Sequence, residues 1–352
     1  MKIKIIILTG ITLLTGCLIF SLHLSVYKKQ SNRNSFIRHF FTHPILASTT
    51  LSIPKGDYYL AGVTKDSIYL GNPVYPLNLI GIDSALTGFK FIRLTVTNTL
   101  KNKLRSARLH VDSLNFYIMD GIGPYILTGR TGQWQIPAAA SSTDSIYFTD
   151  CAPVNPTSFI LRTLDFGKTQ YVLSKKQAVN PVFKSNPDIL QKQVDGLFCT
   201  DGMLLCNPTA AKAVYVYYYR NQFMCLDTSL KLLLRANTID TISRAEIQVS
   251  KIKSENAFVL SAPATVVNSQ SCISQSKLLI LSGRLSRYEN ASTFQKGAVL
   301  DVYSLKSGSY VGSFYLFGPA GKKPRDLRIS GRALYTLYNG QIISHQLNPS
   351  YF

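Results

Sequence analysis

The chain has 352 residues, 38 Lys+Arg against 18 Asp+Glu, and a formal charge of +20. At 46% hydrophobic it is too apolar for a disordered chain, and at 16% charged it is too poor in Glu and Lys for a long coiled coil. Its 20 Tyr and 18 Phe lean towards β structure, and the length allows one large β domain or two small ones.

Lys2 and Lys4 precede an apolar run from Ile5 to about Val26, which Lys28 and Lys29 close. About 22 uncharged residues suffice for a helix to cross a bilayer's hydrocarbon core. Inside the run, Leu14-Thr15-Gly16-Cys17 resembles a bacterial lipobox, whose Cys is lipidated. Residues 1–27 are therefore read as a signal-anchor or transmembrane helix, because the apolar run continues past Cys17 through Leu18, Ile19 and Phe20. A lipoprotein signal lipidated at Cys17 and a conventionally cleaved signal are the alternatives. Counted literally, Lys28, Lys29, Arg33 and Arg38 against Lys2 and Lys4 favour a cytoplasmic body. The short basic start and the lipobox-like stretch favour export. The expectation is a protein of the cell membrane or envelope, single-pass or lipid-anchored, with an extracytoplasmic body. Residues 28–52 contain no acid and read as a basic linker. Phe36, Phe40 and Phe41 lie there among cations, suited to anionic head groups or to simple spacing.

From Asp57 onward, helical periodicity is absent apart from a weak case near 188–194. Short strands recur, each followed by a turn rich in Gly, Asn, Asp or Ser. Segments 214–219 and 223–227, and 299–305 and 310–316, read as the last strand pairs of two repeating units. A third pair, 333–338 and 341–344, turns at Asn339-Gly340. Repetition at about 40–50 residues with four strands per unit is the signature of a β-propeller, whose closure removes raw sheet edges. The expectation is all-β, with six blades or alternatively seven over residues 53–352, after one N-terminal hydrophobic helix. A pair of two-sheet β-sandwiches is the runner-up. On segments 214–227, 300–317 and 324–347, the sequence resembles six-bladed propellers of the NHL/TolB-like kind, and especially membrane-anchored propellers of bacterial envelopes.

No metal-binding spacing and no nucleophile elbow occurs. His110 and His345 stand alone in strand-like segments, and only Glu246, Glu255 and Glu289 supply glutamate. No catalytic residue, metal or cofactor is assigned. Cys199 and Cys206 suit either a disulfide or buried apolar positions, with Cys151, Cys225 and Cys272 left unassigned. Asp-Ser/Thr-apolar triplets at Asp66, Asp83, Asp112, Asp144 and Asp240 resemble a bacterial O-glycosylation signal on Ser67, Ser84, Ser113, Ser145 and Thr241; turns into strands explain them equally. Basic residues cluster at Lys101, Lys103, Arg105 and Arg108 and at Lys322, Lys323, Arg325, Arg328 and Arg332, suited to an anionic partner or to a solvated surface, and the loop Lys322, Lys323, Arg325 and Arg328 is the candidate binding site. The expected function is an envelope-anchored binding or scaffold module without chemistry of its own. Its partner would be an envelope protein, an acidic glycan or lipid head groups, not nucleic acid. A propeller hydrolase or lyase, acting at the central channel on an extracytoplasmic substrate, is the alternative.

Overall fold

The computed structural model describes residues 2–30, 34–137, 146–177, 183–207, 211–252, 257–274 and 276–352. Helix α1 (Lys2–Gln30) comes first, and its described side chains from Thr9 to Leu22 are exposed. Among the described residues, no helix is long and apolar enough to cross a membrane.

The body is a six-bladed β-propeller. Strand β1 (Ile45–Ser52) comes first in the chain but belongs to the last blade. The first blade is β2 (Tyr59–Val63), β3 (Ser67–Gly71), β4 (Asn78–Asp83) and β5 (Phe89–Arg93). A short helix α2 (Asn98–Lys101) leads to the three-stranded second blade, β6 (Ala107–Val111), β7 (Asn115–Asp120) and β8 (Tyr125–Arg130). The third blade is β9 (Asp150–Asn155), β10 (Ser158–Asp165), β11 (Gln170–Gln177) and β12 (Phe183–Asn186). The fourth is β13 (Gly202–Asn207), β14 (Lys212–Tyr217), β15 (Gln222–Asp227) and β16 (Leu232–Asn237). After a separate hairpin, β17 (Val249–Ile252) with β18 (Ala257–Leu260), the fifth blade is β19 (Asn268–Ile273), β20 (Lys277–Ser282), β21 (Ala298–Ser304) and β22 (Tyr310–Leu316). Helix α3 (Ala291–Lys296) lies between β20 and β21. The sixth joins β23 (Asp326–Ser330), β24 (Ala333–Tyr338) and β25 (Gln341–Leu347) to β1, antiparallel from Ile45↔Leu347 to Ser52↔Gln341. Pairing the first strand with the last covers both edges that an open ring would leave.

Each blade opens with its innermost strand, so β2, β6, β9, β13, β19 and β23 ring the axis. Between blades sit six apolar clusters, one per interface. Tyr69 and Ile92 meet Phe116 and Leu127 between the first two blades, and Tyr117 meets Phe159 between the second and third. Leu70 and Ile80 meet Leu337 and Ile342 where the ring closes. Each such side chain fully buried contributes about 1.5–3 kcal/mol, so no blade stands alone. The approach is close: a Cβ at Gly62 would lie 2.0 Å from the Val111 carbonyl oxygen of the next blade.

Several sequence expectations shift. The pair 214–219 and 223–227 forms the middle of its blade, because β16 follows as the outer strand. The weak helical segment near 188–194 forms none, while α2 and α3 are helices; Thr97 and Asn290 side chains cap their N-termini. No disulfide forms: all six cysteines are free, and Cys199 Sγ donates to the Asp195 carbonyl at 2.6 Å. Asp83 and Asp112 bind following backbone N–H groups, the turn geometry that accounts for their triplets. Asp144 and Ser145 lie outside the described residues.

Residues 34–52, read as linker, pack onto the propeller. Before β1, the segment 34–41 crosses the fifth blade. Asn34 donates from its backbone and side chain to the Leu285 carbonyl, Arg287 N–H donates to Phe36, and Phe40 bridges Ser313 beside β22. Arg38 reaches the interior. Its Nε and Nη2 donate to Asp301 at 2.8 and 3.1 Å, and its Nη1 to Glu289 at 2.5 Å. Burial alone would lower the Arg38 pKa, but Asp301 and Glu289 outweigh it and raise it, keeping the guanidinium charged.

Candidate functional site

Inner strands all begin at one end of the ring, and the groups there are largely structural. Leu60 N–H donates to Asp326 Oδ2 at 2.8 Å, and Leu204 N–H to Asp150 Oδ2 at 3.2 Å. Between the first two blades a tyrosine does the same work, with Leu109 N–H donating to the Tyr59 hydroxyl at 2.7 Å. In each case the first residue of one inner strand takes an N–H from the next blade's inner strand. Asp201 pairs with Arg162, which also donates to Thr149 at 2.8 Å and to the Tyr215 hydroxyl at 3.3 Å. Burial raises the Asp150 carboxyl pKa, opposed by Arg162 and by the two N–H groups it holds. These carboxylates are held as acceptors for the ring.

The four basic residues singled out in sequence do not form one cluster. Lys322 and Lys323 are exposed between β22 and β23, with Lys323 Nζ 4.3 Å from the Phe294 ring centroid. Burial against its surroundings lowers the Lys323 pKa, with Glu289 opposing. Arg325 pairs with Asp57. Arg328 lies within β23, and its charge reaches His110 and Cys272 on the inner strands β6 and β19. Burial first and then Arg328 push the His110 pKa down to about 4. A residue not singled out, Lys296, joins Lys322 and Lys323: Gly321 would place a Cβ 3.7 Å from it. Cys17 sits exposed on α1.

At the same end, beside the first blade, lies a cleft of about 1090 Å³. The β3–β4 loop, the outer strand β5 and the connection through α2 form its walls. Asn72 Oδ1 accepts from Val74 N–H at 2.8 Å and Tyr75 N–H at 3.1 Å, which fixes the loop that presents Tyr75. Tyr75 is 63% and Phe91 70% exposed. Asn78, Asn98, Arg93 and Lys101 line the cleft and are exposed. Neither cation has a carboxylate partner among the described residues, and none of the described lining residues is acidic. Sequence reasoning placed Lys101 in a basic cluster but missed the cleft itself, because its walls come from separate turns. The available signal was the alternation in β5, where Phe89, Phe91 and Arg93 share one face and the buried Ile92 takes the other.

No family model matches the sequence, and no curated protein does. Solved structures do. A member of the DUF4221 family from Bacteroides vulgatus aligns with a TM-score of 0.52 at 11% identity, over 90% of this chain and 99% of its own. A luciferin-regenerating enzyme aligns at 0.47 and 9%, over 85% and 95%. A protein described as TolB from Agrobacterium tumefaciens aligns at 0.42 and 10%, over 86% and 91%. Identities this low speak for the fold alone, and the class the fold defines is the six-bladed β-propeller.

Proposed function

We propose that this chain is an envelope-tethered binding module that takes an acidic glycan in the cleft beside its first blade. The observation that carries this reading is the cleft's lining: two exposed rings, three asparagines and two unpartnered cations, with no carboxylate among the described lining residues. Flat rings pack on sugar faces, amides match ring hydroxyls, and a guanidinium binds a uronate carboxylate through two parallel N–H groups. The volume is at the upper end for ligand sites, with room for several sugar units. The reading also draws support from the carboxylates at the channel mouth, since Asp150, Asp201 and Asp326 are already engaged in holding blades together. We take α1 as the tether on the sequence alone, from its uncharged apolar run between Ile5 and about Val26.

The test is binding of a galacturonate tetramer to the full chain in neutral detergent. Phe91→Ala and Arg93→Ala should each weaken binding at least tenfold, with melting unchanged because both side chains are exposed. Equal binding by parent and both variants would place the ligand elsewhere.

A further inference from the structure

A second surface lies two blades round the ring, where the chain enters the propeller. Asn34 is fixed to Leu285 at the end of the ring where the inner strands begin. Only three residues separate it from Gln30, the last residue of α1, so the two lie within about 15 Å. Around this entry point the fifth blade's connections and the entry segment expose large rings: Tyr288 is 74%, Phe317 61% and Phe40 46% exposed. Phe40 and Phe317 are contiguous, because Phe40 stacks on Tyr315 at 5.4 Å and Tyr315 on Phe317 at 5.5 Å. Arg287, Lys296, Lys322 and Lys323 are exposed alongside. The carboxylates Glu289 and Asp301 are buried against Arg38, and of these cations Lys323 feels the charge of Glu289.

We infer that this aromatic-basic rim docks on an anionic lipid surface, laying the entry side of the propeller against the bilayer. Rings with one apolar and one wet side settle at the head-group level, and lysines beside them are drawn to anionic head groups. A soluble partner would not require the patch to surround the point where the chain leaves α1. The inference rests on α1 being the tether, and the experiment separates the two.

The full chain is floated with neutral phosphatidylcholine vesicles and, separately, with vesicles also containing phosphatidylglycerol. Flotation with neutral vesicles reads the tether; its loss would count against α1 as anchor and leave the rim to be judged on the anionic vesicles alone. Docking is then read by quenching of the Tyr288→Trp variant by lipids brominated near the head group, above the parent's level, with Leu114→Trp at the opposite end as control. The indole introduced at position 288 should be quenched at least threefold more in anionic than in neutral bilayers. Adding Lys296→Glu, Lys322→Glu and Lys323→Glu together should abolish that excess while melting stays like the parent's. Quenching at position 288 no greater than in the parent, equal quenching at position 114, or indifference to charge reversal would overturn the inference. So would an untethered chain that fails to float with anionic vesicles.

Discussion

Arg38 is the residue on which the entry segment depends. Its side chain is fully buried between Glu289 and Asp301. Arg38→Ala strands two carboxylates in the interior, and removing one partner of such a pair costs about 3–5 kcal/mol. The exposed Arg325–Asp57 pair is the internal control, where Arg325→Ala should cost under about 1 kcal/mol. Denaturant unfolding of both variants checks the contrast. Equal losses would mean that the entry segment is not anchored through Arg38. His345 gives a pH signature. It is buried, with Ser48 Oγ 2.8 Å from Nδ1 and Thr336 Oγ1 3.1 Å from Nε2, and burial pushes its pKa down to about 4. The folded form therefore keeps the ring neutral where the unfolded chain binds a proton. Stability from this residue is complete above about pH 6.5 and falls as pH drops towards 4, then levels off. Melting temperature measured across that range should show the decline, to which His110, also pushed down to about 4, contributes in the same sense; His345→Gln should make it shallower and leave the His110 part. An unchanged decline in the variant would assign it to other groups.

At the scale of elements, closure by β1 makes the ring a single cooperative unit. Removing 329–352 takes away β24 and β25, so β1 loses its partner and edges open on both sides of the gap. The truncated chain should lose its sharp melting transition; a sharp transition near the full-length temperature would argue for separable parts. The hairpins β14–β15, β21–β22 and β24–β25 were legible in sequence because each sets two runs of β-forming residues on either side of a short turn. Gly340 shows the local logic, supplying a φ of 85° in the Asn339-Gly340 loop. The entry segment was illegible for the opposite reason. Arg38 lies 251 and 263 residues from its partners Glu289 and Asp301, so a string of cations reads as linker until the fold brings the acids to it. The same holds for the basic loop. Neighbours in sequence diverge there, since β23 carries Arg328 to the ring's interior while Lys296 arrives from α3. The cleft's walls likewise meet only when β5 and α2 are placed against the β3–β4 loop.

Across the whole molecule, Asp150, Asp201, Asp301, Asp326 and Glu289 are engaged within the ring, while Arg93, Lys101, Lys296 and Lys322 face solvent. The tether proposed at α1 should not depend on lipidation, because the apolar run continues beyond Cys17. Cys17→Ser should stay in the membrane fraction, and release of that variant into the soluble fraction would favour the lipoprotein alternative. The proposed glycan site specifies both a ligand and its place. Its most direct test is a crystal structure of the full chain with a galacturonate tetramer. Sugar rings should lie against Tyr75 and Phe91, with a uronate carboxylate on Arg93. A tetramer seated in the central channel, or bound without contact to these three residues, would contradict the proposal.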